Sequence, residues 1–173
     1  MGCVNGNSKL YTASTDQPDS VKPLSGGNYD GLGGVSWSAD GRIIYVSTES
    51  RNRDIWTINA AEGKPQQMTF EEAADDFPAA SSDGKYVVFV SSRTGTPHLW
   101  RMNSSGGEPK QLTDQSGEEM PDITPDGKFV IYSRTGDRPL LWKVSIEGGE
   151  PSPLTKEQTY GSAISPDGKL SFV

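Results

Sequence analysis

Apolar residues come in short runs between polar, glycine-rich turns, and the runs fall into recurring kinds. One kind is "RIIYVST", "KYVVFVSS" and "KFVIYSR". Its apolar residues do not alternate with polar ones, so both faces must be covered, as in an inner strand packed between neighbouring sheets. A second kind carries a central aromatic: "KLYTAS", "DIWTINA", "HLWRMNS" and "LLWKVSI", with Tyr11, Trp56, Trp100 and Trp142. A third precedes the inner run: "GVSWS", "FPAAS", "MPDIT" and "GSAIS". The fourth is short and polar, as an outer edge strand should be, and ends "PLS", "QMT", "QLT" or "PLT". No run has a helical period.

The order of the kinds is constant, so each unit reads as four strands, a to d. Between a and b stands "SADG", "SSDG", "TPDG" or "SPDG". The glycines of these tetrads, Gly41, Gly84, Gly127 and Gly168, are spaced 43, 43 and 41 residues apart. The tetrad is turn chemistry. Proline or a small residue suits the second position of a type I turn, the aspartates Asp40, Asp83, Asp126 and Asp167 suit the third, and glycine takes the positive φ that follows.

Four antiparallel strands in about 40–45 residues make the blade of a β-propeller. The fold class expected is all-β, a propeller of about four four-stranded antiparallel blades forming one domain over residues 1–173. Three units are complete, at about 33–70, 76–114 and 119–156. Residues 9–26 supply strands c and d alone, and residues 160–173 supply a and part of b. Two arrangements accommodate these halves: a closed four-blade ring, or part of a larger ring completed by further chain or by a second copy in a homo-oligomer.

Composition narrows the function. The formal charge is -7, and an acidic surface repels phosphate backbones, so no nucleic-acid partner is expected. The apolar run "YVVFV" at Tyr86–Val90 is far too short to span a membrane as a helix, so no membrane insertion is expected. Cys3 is the lone cysteine and can form neither an intrachain disulfide nor a zinc site by itself. Gly2 beside Cys3 suggests acylation, but the myristoylation pattern asks for Ser or Thr where Gly6 stands.

The tetrad followed by Lys and an apolar run (Ser165–Lys169), the Leu99–Trp100 pair and the "GGEPKQLT" segment (Gly106–Thr113) resemble the TolB-like, or WD40-like, propeller repeat. The likeness runs from about Lys9 to near the end of the chain, without the Gly-His and Trp-Asp pairs of true WD repeats. The resemblance implies a non-catalytic bacterial binding module for a protein or peptide partner. It also implies a periplasmic or otherwise extracytoplasmic location. Similar propellers accompany the catalytic domain of prolyl oligopeptidase and dipeptidyl-peptidase relatives, or form sensor domains. An accessory propeller and a self-assembling structural unit therefore stand as alternatives.

Candidate chemistry is sparse. His98, the single histidine, occupies a slot filled by Asp54 and Leu140 in other units, and no triad accompanies it. No catalytic residue and no cofactor is expected. The stretch "FEEAADDF" and its counterpart "DQSGEEM" lie between strands d and a. Asp75, Asp76, Glu118 and Glu119 are there expected to gather at the channel mouth for a basic partner or a cation, with oxygen chemistry suited to Ca²⁺. The plainer expectation is exposed loop carboxylates that maintain solubility. The aromatics Tyr11, Trp56, Trp100 and Trp142 are expected to pack blade on blade. The b-to-c loop arginines Arg51, Arg53, Arg93, Arg134 and Arg138 are expected on the opposite rim.

Overall fold

The computed structural model describes residues 3–4, 7–27, 29–159 and 161–172. Gly2 and Gly6, on which the acylation pattern turns, lie outside them. Three four-stranded antiparallel sheets form the body. Blade 1 is β5 (Val35–Trp37), β6 (Arg42–Ser47), β7 (Asp54–Asn59) and β8 (Pro65–Gln67). Blade 2 is β9 (Asp75–Ala80), β10 (Tyr86–Ser91), β11 (His98–Asn103) and β12 (Lys110–Gln111). Blade 3 is β13 (Glu118–Ile123), β14 (Phe129–Arg134), β15 (Leu140–Ser145) and β16 (Ser152–Pro153). Ahead of them are β1 (Cys3–Val4) paired with β2 (Asn7–Ser8), and β3 (Tyr11–Ser14) paired with β4 (Gln17–Pro23). Behind them β17 (Ser162–Ile164) pairs with β18 (Leu170–Phe172).

The β3–β4 and β17–β18 sheets are the c–d and a–b halves expected from the repeat. Among the described residues they form separate two-stranded sheets. Consecutive a strands lie side by side, β5 with β9, β9 with β13 and β13 with β17. Strand a therefore lines the propeller axis, and the d strands form the polar outer edge.

Each Asp-Gly turn closes with the glycine N–H donating to the carbonyl three residues back, at 3.0 Å for Gly41 and Gly84 and 2.8 Å for Gly127 and Gly168. The glycine φ values, 80°, 72°, 70° and 82°, are those for which glycine is needed. The aspartate carboxylates accept hydroxyl hydrogens from Ser38, Ser81, Thr124 and Ser165. These bonds hold Asp40, Asp83 and Asp126 below the ordinary carboxylate range, while Asp167 is lowered first by Lys169 and then by Ser165.

The core lies between blades. Ile44, Val46, Ile55 and Met68 of blade 1 meet Val87, Phe89 and Met102 of blade 2, with Trp100 at the margin. Val88, Val90 and Leu99 of blade 2 meet Ile123, Val130, Tyr132 and Val144 of blade 3, with Trp142 at the margin. Each fully buried side chain of this kind contributes about 1.5–3 kcal/mol. Trp56 packs beside Ile43, Tyr45 and Ile58, against Leu10 and Leu24. The three tryptophans thus pack between neighbouring sheets. Tyr11 does not. It is 49% exposed, as are Val35 (50%) and Trp37 (60%), and these three border an open cavity of about 480 Å³. In blades 2 and 3 the positions matching Trp37 are Ala80 and Ile123, both packed against the preceding blade. Among the described residues the preceding sheet has only its c and d strands, and its Leu10 packs against Ile43, Tyr45 and Ile58.

The residue after each "PL", "QM" or "QL" pair forms a clip. The hydroxyls of Ser25, Thr69, Thr113 and Thr155 accept the N–H groups of Leu10, Ile55, Leu99 and Leu141 at 3.0, 2.9, 3.0 and 3.2 Å. The carbonyls of the same four residues accept the N–H groups of Leu24, Met68, Leu112 and Leu154 at 2.8 Å. Strand d stops pairing early, and the hydroxyl replaces the backbone partner that strand c would lack.

Candidate functional site

Asp75 and Asp76 open β9, and Glu118 and Glu119 open β13. The expectation of exposed loop carboxylates is corrected here: these are residues of the axial strands, and Asp75 and Glu118 have no exposed surface. A bulge lies just beyond each pair. The register shifts between Val88 and Val90 on the partner of β9, and between Glu119 and Asp122 in β13. Phe77 and Met120 take φ values of 53° and 51° there, and Gly34, the matching residue of blade 1, takes 125°. The bulge re-aims the residues before it. Sequence periodicity could not show it, although a glycine in one copy marks a position that needs positive φ.

Asp75 is satisfied within the chain. The Ser91 and Thr69 hydroxyls beside it help to lower its pKa, and Arg93 reaches both its oxygens at 3.1 and 3.4 Å. The Arg93 guanidinium lies 4.7 Å over the Trp100 ring and 5.3 Å over Phe89. Burial pushes the Asp75 pKa up, and the hydrogen bonds and Arg93 pull it back.

Glu118 is satisfied on one side only. Its Oε2 accepts the Thr113 hydroxyl and the Leu99 N–H (3.3 Å) and lies 3.4 Å from His98 Nδ1. Its Oε1 is buried with no hydrogen-bond partner. Burial is the largest cause raising the Glu118 pKa. His98 opens β11 and is buried. Its Nδ1 donates to the Gln115 carbonyl at 2.7 Å and its Nε2 lies 2.8 Å from the Thr96 hydroxyl.

Asp76 pairs through Oδ2 with Arg53 at 3.0 Å, while its Oδ1 is buried without a partner. Burial raises its pKa and Arg53 opposes the rise. Gly33 makes room for this carboxylate: a Cβ there would stand 2.5 Å from Asp76 Oδ1.

Asp76, Glu118 and Glu119 share one cavity of about 490 Å³, which all three blades border. Arg53 is the basic residue on its wall, and Leu32, Val46, Phe77, Val90 and Pro97 supply apolar surface. The structure thus brings three of the four expected carboxylates together and commits Asp75 to Arg93. Among the described residues no group of three or more His, Cys, Asp or Glu side chains converges closely enough to hold a metal ion.

The loop arginines sit at this same end, not on an opposite rim. Arg53 reaches Asp76, Arg93 reaches Asp75, and Arg134 donates to Gln115 Oε1 at 3.1 Å. Arg138 donates to the Lys156 carbonyl at 2.7 Å. The reason is topological. With antiparallel strands in the order a–b–c–d, the b-to-c and d-to-a connections fall on one face.

No helix of the described residues is long and apolar enough to cross a membrane. No curated protein sequence matches the chain significantly. Among solved structures, a TolB from Acinetobacter baumannii superposes with a TM-score of 0.81 at 26% identity, over 97% of this chain and 44% of that one. A protein described as putative TolB from Agrobacterium tumefaciens gives 0.83 at 23% identity, over 98% of this chain and 67% of that one. An oligogalacturonate lyase from Vibrio parahaemolyticus gives 0.76 at 18%, over 97% and 52%, a likeness of fold alone. The chain spans less than half of the Acinetobacter protein. A family model described as the TolB beta propeller domain matches residues 3–169. By its fourfold repeat, its blades and that match, the chain belongs to the TolB beta propeller domain family.

Proposed function

We propose that this chain is a non-catalytic binding module that receives a segment of a protein or peptide partner in the axial cavity. The observation that carries the reading is the cavity itself. At about 490 Å³ it falls in the range of ligand sites, and it joins apolar wall to a few carboxylates. Loops of the b-to-c and d-to-a kind surround it, and such loops on a rigid scaffold are where binding residues concentrate. His98, the one histidine, has both ring nitrogens engaged and supports the chain rather than chemistry. By family resemblance the working place is periplasmic or otherwise extracytoplasmic.

The test is selection of peptides from a random library against the purified chain, followed by affinity measurement on two variants. Leu32→Arg blocks the cavity from a half-exposed position, and Asp40→Ala alters the opposite face. Loss of roughly tenfold or more in affinity for Leu32→Arg alone is expected, equivalent to about 1.4 kcal/mol. Binding insensitive to Leu32→Arg, or cleavage of the peptides by the chain, would overturn the reading.

A further inference from the structure

Asp75 and Glu118 occupy equivalent places, 43 residues apart at the start of successive axial strands. Asp75 is met by the guanidinium of Arg93. The residue 43 beyond Arg93 is Gly136, and no atom lies within 4 Å of where its Cβ would be. Blade 3 therefore keeps the carboxylate and lacks the arginine. Arg134 does not replace it: its guanidinium lies 4.9 Å over Trp142 and donates to Gln115. Glu118 is completely buried, and its Oε1 is left without a partner. A buried carboxylate oxygen in that condition is costly, and a cation supplied from outside removes the cost.

Asp76 lines the same cavity, and its Oδ1 is likewise buried without a partner. Arg53 engages only the other oxygen, and its side chain is 56% exposed. The wall thus carries two carboxylates, Asp76 and Glu118, that each keep one buried oxygen without a hydrogen-bond partner. A bare divalent ion needs several oxygens converging at about 2.3–2.6 Å, and the described residues form no such group. A guanidinium presents five donors on a planar fork and can bond acceptors set apart from one another. It is also weakly hydrated, so it enters a partly apolar site more readily than an ammonium. Val46, Phe77 and Val90 offer apolar wall to a methylene stem, and Tyr29 and Phe77 offer ring surface.

We propose that the axial cavity takes the guanidinium of an arginine side chain from the bound partner, with Glu118 Oε1 and Asp76 Oδ1 as its acceptors. The incoming arginine does for blade 3 what Arg93 does for blade 2. This inference rests on the binding-module reading and specifies the chemistry that the site selects.

The test uses N-acetyl-arginine amide and its neutral isostere N-acetyl-citrulline amide, titrated into the isotopically labelled chain and followed by amide chemical shifts. Saturable shifts centred on Asp76 and Glu118 are expected with the arginine compound, and at least tenfold weaker effects with citrulline, about 1.4 kcal/mol. Glu118→Gln and Asp76→Asn should each abolish the saturable shifts while retaining a cooperative melt. Should Glu118→Gln fail to fold, Asp76→Asn and the citrulline comparison still decide. Equal binding of the two compounds, binding of neither, or shifts at these amides with Ca²⁺ but not with arginine would overturn the proposal. Library peptides that bind at the cavity and tolerate arginine-to-citrulline replacement would sink this inference and leave the binding-module reading intact. Binding of the arginine compound without any peptide binder would do the reverse.

Discussion

The Arg93 guanidinium stands 3.1 Å from the Asp75 carboxylate, with both side chains withdrawn from solvent. The pair ties the b-to-c loop of blade 2 to its axial strand, and Trp100 closes over the arginine. Removing one partner leaves a buried charge uncompensated. Arg93→Ala is expected to destabilise the fold by about 3–5 kcal/mol. The double variant Arg93→Met, Asp75→Asn should recover much of that loss, because an uncharged pair has less desolvation to offset. Urea unfolding of the single and double variants measures both quantities.

Gly33 and Asp76 test how tightly the site is built. Gly33→Ala would put a methyl 2.5 Å from Asp76 Oδ1 and 3.0 Å from a Val46 methyl. A cost of about 1–3 kcal/mol is expected, as for other overpacked positions. The Arg53–Asp76 pair should also be displaced. Gly26→Ala, with nothing within 4 Å, serves as the control and should stay near the wild-type stability. Thermal melts rank the two variants.

The hydroxyl clips differ in surroundings, and so should their deletion. Thr113→Val removes the acceptor of the Leu99 N–H and the donor to buried Glu118. A loss of about 1–3 kcal/mol is expected for the buried groups left unsatisfied. Thr155→Val should cost less, since its bond to Leu141 N–H is longer, at 3.2 Å, and the adjacent Leu154 is partly exposed. Hydrogen exchange at the Leu99 and Leu141 amides reads each clip separately.

Burial raises the pKa values of Asp75, Asp76, Glu118 and Asp122. A carboxyl whose pKa is higher folded than unfolded binds its proton more tightly in the folded chain. Its contribution therefore falls as pH rises from the unfolded value, 4.5 for Glu118, through the folded one. The turn aspartates, with lowered values, act in the opposite sense and lose their contribution as pH falls below 3.8. Glu118→Gln deletes one raised group. Its melting temperature, relative to wild type, should climb as pH is taken from about 4 to 7. A pH-independent difference between the two proteins would contradict the assignment.

The positions of the blades were legible because turn chemistry and apolar runs are local. Asp40–Gly41 and its three successors need only their own φ preferences and a hydroxyl two residues before the aspartate. Uninterrupted apolar runs such as Val87–Val90 told that strand b is covered on both faces, and the structure buries them. The clip residues were visible as a pattern, but their hydroxyl bonds to strand c were not. The common face of the arginine loops and the carboxylates was in principle derivable, since it follows from counting antiparallel strands.

The sequence by itself determined the repeat and the order of strands within a blade, because each depends on neighbours within one unit. Only the tertiary structure decided which carboxylates are paired. Asp75 and Glu118 hold the same place in their units, yet one meets Arg93 and the other faces a cavity bordered by three blades. That difference depends on what adjoining blades and loops bring within hydrogen-bonding distance. Burial is likewise a property of packing between units: it turned residues read as solvated loop charges into desolvated side chains beside the axis.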